Sequence, residues 1–241
     1  MTAVGGKGLC ADRCFLLLWF AQSASIAGGQ IRTVVLPVLR FQLTQSPSLT
    51  AMLVTVQAAP YLLFGLIAGA VSDRVNRRTV MVSSDIVSAG AMGAVPAAAA
   101  FEICTPAVLF GAAAVTGTAF VWHDSALFGS LPTIVGRNER VVAAYSALIS
   151  TQQVLQLVAT AGAGVLIATT GAAEALWIDS GCYLASAAAV LVIPRRLKAQ
   201  RVSDPRPSLR SDIGEGLRYV RGHRIIWPLT ASGFGSALGG F

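Results

Sequence analysis

Six runs of apolar residues, broken by short clusters of charged and turn residues, organise the first four-fifths of the chain. They cover roughly 14–39, 48–72, 79–101, 105–128, 141–169 and 173–193. A helix rises 1.5 Å per residue, so about 20 residues cross a hydrocarbon layer of about 30 Å. Each run therefore predicts a membrane-spanning helix. A seventh begins near Ile225 and holds roughly 17 residues before Phe241, at the lower limit for a span. The first run could be taken for a secretory leader, because Lys7 and Arg13 precede FLLLWF and Ser23 to Ser25 follow it. Its apolar character continues through Val38, too far for a cleaved leader, so a retained span is expected. The expected fold class is an all-α membrane protein. Its divisions are an N-terminal tail (1–13), a six-span bundle (14–193), a basic linker (194–224) and the start of a seventh span (225–241).

Composition agrees with that pattern. Only 12% of the 241 residues are charged, about half the share of a soluble domain. The net charge of +7 matters less than where the charges lie. If the spans alternate in direction, every Lys and Arg except Arg32 and Arg40 falls on one side. The positive-inside rule then predicts a cytoplasmic N-terminus. The opposite connections hold Arg40, Glu102 and Glu174. No lysine-rich run interleaved with aromatics points to nucleic acid. Cys10 and Cys14 form C-x3-C without a matching Cys/His pair, and Cys104 and Cys182 stand alone, so no metal site is expected. His123 and Asp124 are adjacent, but no second His/Asp cluster accompanies them and His223 lies in the tail. Neither an enzyme nor a cofactor is expected.

After Pro194 the composition turns basic. Leu209, Ile213, Leu217 and Val220 recur at helical spacing with charges between them. Two readings stand: an amphipathic helix on the membrane surface, or a solvated linker helix.

The connection between spans two and three reads Gly69-Ala70-Val71-Ser72-Asp73-Arg74-Val75-Asn76-Arg77-Arg78. It resembles the G-x-L-a-D-r-x-G-r-r/k signature of the major facilitator superfamily, with Val71 at the leucine and Asn76 at the second glycine. Asparagine tolerates the left-handed backbone better than most residues. SLTAMLVTVQAAPYLLFGLIAGAVSDR and FGSLPTIVGRNERVVAAYSALISTQQ are similar to the second span and the fourth-to-fifth connection of the drug/macrolide/siderophore exporter branch. The resemblance runs from about Phe15 to the end. It implies the N-terminal six-helix half of a twelve-span fold, plus the start of span seven. Two departures bear on proton-driven antiport. Residues 159–164 lack the first Gly and the Pro of the family's G-P-x-x-x-G, and Gly28-Gly29-Gln30 lacks the acidic residue that follows the glycine pair in many relatives.

The resemblance implies that Asp73, Arg77 and Asp124 form a charge relay bracing a cytoplasmic gate, with Gly69 and Arg78 in the same turn. Topology alone accounts for Arg74 but not for Asp73, since acidic residues do little for orientation. Ionisable groups within spans are costly unless paired or wetted. Arg32 lies roughly 7.5 Å and Asp179 roughly 6 Å beyond the midpoints of spans one and six, both toward the outside. They are expected to pair or to line one polar cavity. Snorkelling to the outer headgroups is the alternative for Arg32. Asp85 reads as a snorkelling structural residue rather than a proton carrier, and His123 as a pH-sensitive cavity or gate residue. Polar stripes run along three spans: Gln22, Ser25, Gly29 and Thr33; Thr50, Gln57 and Tyr61; and Ser146, Ser150, Gln153, Gln156 and Thr160. They face neighbouring helices or a translocation path. Gly65 and Gly69 form GxxxG, which predicts close packing. Six spans should also divide into two inverted three-span repeats, of which the letters carry little trace.

The function expected from this resemblance is secondary active efflux of hydrophobic or amphipathic small molecules by alternating access, with protons as a candidate drive. The alternative is a truncated half-transporter without activity of its own. The expected partners are a small-molecule substrate, the lipid bilayer and a missing C-terminal six-span half or second half chain. The expected location is a bacterial plasma membrane.

Overall fold

The computed structural model describes residues 12–72, 74–136 and 139–193. Asp73, the basic linker and the seventh apolar run lie outside the described residues. The described residues form six helices: α1 (Arg13–Thr44), α2 (Pro47–Ser72), α3 (Arg77–Ala100), α4 (Pro106–Val135), α5 (Glu139–Thr170) and α6 (Ala175–Val192). There is no strand among the described residues. All six helices contain a window long and apolar enough to cross a membrane.

Local chemistry sets the ends. Asp12 caps α1 by accepting from the Cys14 amide at 2.9 Å, and Asn76 caps α3 by accepting from the Arg78 amide at 3.2 Å. Asn76, at the motif's second glycine, thus starts a helix with an extended backbone (φ −68°, ψ 107°) rather than a left-handed one. The α1–α2 turn does use a left-handed residue, Gln45 at φ 51°. α1 runs past its expected end, carrying Arg40 into the bundle instead of an outer connection. Arg40 is 2% exposed, its guanidinium 5.0 Å from the centre of the Phe110 ring.

The helix pairs that pack extensively are α1 with α6 and α3 with α4, α2 with α4 and α1 with α5, and α3 with α6. Exchanging α1–α2–α3 for α4–α5–α6 leaves this set unchanged, the pairing expected of two three-helix repeats. Burial is uneven. Half of the membrane window of α3 and of α6 is buried, against 14% for α2 and 6% for α5, so α2 and α5 are the open helices.

Two apolar cores sit at opposite ends. One joins Phe15 and Leu18 of α1, Met81 of α3, Leu127 and Leu131 of α4, Leu148 of α5 and Val190 of α6. This end, the basic end of the bundle, also holds the α2–α3 turn. The other core joins Leu36, Leu53, Met92, Leu109 and Leu176. Between them lies a waist of buried polar residues.

Candidate functional site

The waist draws on four helices. α1 supplies Gln22, Ser25 and Arg32; α3 supplies Ser84, Asp85 and Ser88; α4 supplies Thr116 and His123; α6 supplies Asp179, Ser180, Tyr183 and Ser186. All are buried. Asp179, Tyr183 and Ser186 are spaced i, i+4, i+7, which lines them up on one face of α6. Polar groups in a membrane interior must be satisfied internally. Here Arg32, Asp179 and Tyr183 meet one another, as do Asp85, His123 and Ser186, and Thr116 and Ser180 bond backbone carbonyls.

The structure brings Arg32 and Asp179 together. Arg32 Nη1 lies 3.9 Å from Asp179 Oδ2, and the Asp179 side chain is wholly buried. Arg32 also donates to the Tyr183 hydroxyl and lies 5.7 Å from the centre of that ring. Gly28 makes the approach of α1 to α6 close enough for this. A Cβ there would stand 2.5 Å from Asp179 Oδ1 and 2.9 Å from Cys182 Cβ.

A second cluster lies one to two turns nearer the basic end of α6. His123 Nδ1 is 3.1 Å from Asp85 Oδ1, and the Ser186 hydroxyl donates to Asp85 Oδ2 at 2.6 Å. Asp85 does not snorkel. It is 1% exposed, enclosed by α4 and α6. Ser180 ties α6 to α3 independently, donating to the Ala89 carbonyl at 2.8 Å.

The gate residues divide between two places. Arg77, at the first position of α3, donates through Nη1 to the Gly129 carbonyl and, at 3.4 Å, to Thr133 Oγ1 of α4. A Cβ on Gly129 would sit 2.7 Å from Arg77 Nε, so that glycine makes room for the guanidinium. Arg78 reaches the Leu191 carbonyl of α6. Asp124 sits five residues before Gly129, roughly 7.5 Å along α4. Its Oδ2 accepts from the Tyr61 hydroxyl of α2 at 2.5 Å. Tyr61 also leans on Phe120, ring centres 6.2 Å apart. Asp73, the remaining member of the proposed relay, is outside the described residues.

The polar stripes meet different fates. On α1, Gln22 and Ser25 are buried while Thr33 is exposed and bonds back to Gly29 O at 2.8 Å. On α2, Gln57 is half-buried and Tyr61 is 47% exposed. On α5, Ser146, Ser150, Gln153, Gln156 and Thr160 are all exposed. Gly65 and Gly69 do not make the close contact their spacing predicts: a Cβ on either meets nothing among the described residues. Gly117 does, its Cβ position lying 2.6 Å from the Gln57 carbonyl oxygen across the α2–α4 seam. Sequence reasoning also passed over Tyr183, Ser186 and Gly129. The α6 spacing held the signal for the first two; the third had none.

No group of three or more His, Cys, Asp or Glu among the described residues is arranged to hold a metal.

This arrangement is that of a membrane bundle with a charged interior and two open helices, and the comparisons with known proteins agree. The profile of a family described as "Transmembrane secretion effector" matches residues 9–232. The Multidrug efflux pump Tap of Mycobacterium tuberculosis is 30% identical over 224 residues, covering 89% of this chain and 52% of the relative. Macrolide efflux protein A of Streptococcus pyogenes is 27% identical over 226 residues, covering 91% of this chain and 54% of the relative. An uncharacterised MFS-type transporter, YceJ of Bacillus subtilis, is 34% identical over 155 residues, covering 63% of this chain and 33% of the relative. The chain spans about half the length of the Tap and macrolide efflux relatives it matches. It is a multi-pass bacterial membrane protein and belongs to the transmembrane secretion effector family of major facilitator transporters.

Proposed function

We propose that this chain acts as one half of an efflux transporter for hydrophobic or amphipathic small molecules, working by alternating access. The observation that carries this reading is the exposed polar arc of α5, Ser146, Ser150, Gln153, Gln156 and Thr160. Polar groups turned to hydrocarbon are costly. The arc therefore faces a second six-span half and the water path between the two. Tyr61, with Gln57 a turn away on α2, continues that lining. The relatives' printed names, multidrug and macrolide efflux, support the substrate class. The basic end faces the cytoplasm, placing the N-terminus inside the plasma membrane of a bacterium. There Gly69, Asp73, Arg77 and Arg78 brace the gate, with Arg77 anchored on α4.

On this reading the chain moves substrate only together with a second six-span half. Reconstitution in liposomes with a fluorescent amphipathic dye tests it. Export by the chain alone overturns the need for a second half. Export only when it is joined to a second six-span half supports the half-transporter. No export in either form, with correct insertion, overturns the efflux reading.

A further inference from the structure

We propose that Asp85, His123 and Ser186 form a proton-binding site in the buried waist. It rests on the efflux reading only for its role as the place where the driving ion is held. Three helices converge on it. Asp85 comes from α3, His123 from α4 and Ser186 from α6, and each side chain is at least 95% buried.

The argument is one of charge balance. Arg32 and Asp179 offset each other at 3.9 Å, with Tyr183 bonded to Arg32. The other titratable groups nearby are also engaged. Asp124 pairs with Tyr61 of α2, and Tyr145 of α5 donates to the Phe128 carbonyl at 3.1 Å. The Cys182 side chain of α6 packs on Gly28. His123 alone among the described residues lies at ion-pair distance from Asp85. With a neutral imidazole, the waist would carry one unmatched negative charge in the membrane interior, an arrangement disfavoured by several kcal/mol. One added proton, on the carboxyl or on the imidazole, removes that charge. Ser186 holds one carboxyl oxygen and leaves Oδ1 to His123. Among the described residues His123 Nε2 has no hydrogen-bond partner, and it remains a further point of exchange when water enters. In the closed waist the proton is enclosed. An opening on either side would let it leave to that side.

A hydrogen-bonded pin between three helices would look much the same, and differs in not titrating. The test is infrared difference spectroscopy, with ¹⁵N-histidine NMR, on the purified chain in lipid nanodiscs across about pH 5 to 8. The expected result is a carboxyl C=O band and a His123 signal that change together. D85N should abolish the band. H123Q should move its midpoint by about one pH unit or more. S186A should shift the band's frequency by removing a hydrogen bond; this variant keeps both titrating groups and serves if D85N fails to fold. A wild-type spectrum flat over this range, a band that survives D85N, or a band that S186A and H123Q both leave unmoved overturns the site. Dye export by the joined halves is measured separately. Lost export with an intact titration counts against the efflux reading and leaves the site standing; a flat spectrum with intact export does the reverse.

Discussion

At the scale of single residues, the buried charges determine one another's cost. Asp179 is fully buried and, among the described residues, has only Arg32 at ion-pair distance, so changing one member leaves the other unmatched. Asp179→Asn and Arg32→Gln should each lower stability by about 3 kcal/mol or more, while the double substitution recovers a large part of the loss. Thermal unfolding of the single and double variants in detergent measures this as a double-mutant cycle. Additive losses would mean that the 3.9 Å approach carries no coupling. The pairing was legible because a helix converts position into depth, and two charges at matching depth in adjacent spans suggest a contact. Asp85 and His123 were not legible in the same way. Their meeting depends on how α3 and α4 are rotated about their axes, which depth does not fix. Arg40 escaped for a different reason: a charge at the end of an apolar run reads as the run's boundary. Here Phe110 offers it a ring face inside the bundle.

At the scale of helices, the seams are set by where backbones come close. Gly28→Ala puts a methyl into Asp179 and Cys182, and Gly117→Ala puts one against the Gln57 carbonyl. Each should cost about 1–3 kcal/mol, since neither seam can widen without moving a helix. Gly65→Ala meets open space among the described residues and should be neutral or, by helix propensity, stabilising by up to about 1 kcal/mol. Unfolding midpoints of the three variants decide the matter; equal losses in all three would refute the assignment of seams. GxxxG spacing pointed to Gly65 and Gly69 because it registers which glycines share a face, not which face meets a neighbour. Arg77 belongs to this scale as well. Its Nη1 reaches both the Gly129 carbonyl and the Thr133 hydroxyl, a geometry that a lysine point charge does not reproduce. Arg77→Lys should preserve membrane orientation, because the charge remains. It should loosen the α3–α4 junction, seen as faster alkylation of a cysteine placed at Thr133. Unchanged alkylation would leave Arg77 as a topology signal alone.

At the scale of the whole molecule, the six spans and their basic side were readable from hydropathy and charge, and the repeat was not. The repeat survives as a pattern of helix partners, α1 with α6 mirrored by α4 with α3, and α1 with α5 mirrored by α4 with α2. Packing of this kind tolerates almost any apolar residue of suitable size, so two halves can keep a common arrangement after their letters have diverged. The same symmetry leaves α2 and α5, equivalent members of the two repeats, as the open helices. On α5 the exposed Ser146, Ser150, Gln153, Gln156 and Thr160 share one arc with the exposed Val142, Ile149 and Leu157, while Val154, Val158 and Val165 lie on another about a third of a turn away. If the polar arc borders the path between two halves, cysteines at Gln153, Gln156 and Thr160 of the joined transporter should react with a membrane-impermeant maleimide. Cysteines at Val154, Val158 and Val165 should react at least about tenfold more slowly, because the thiolate that reacts does not form in lipid. Added amphipathic substrate should slow the first set and leave the second unchanged. Equal rates on both arcs would place α5 away from any water path, and the polar arc would then be a helix–helix contact held by hydrogen bonds.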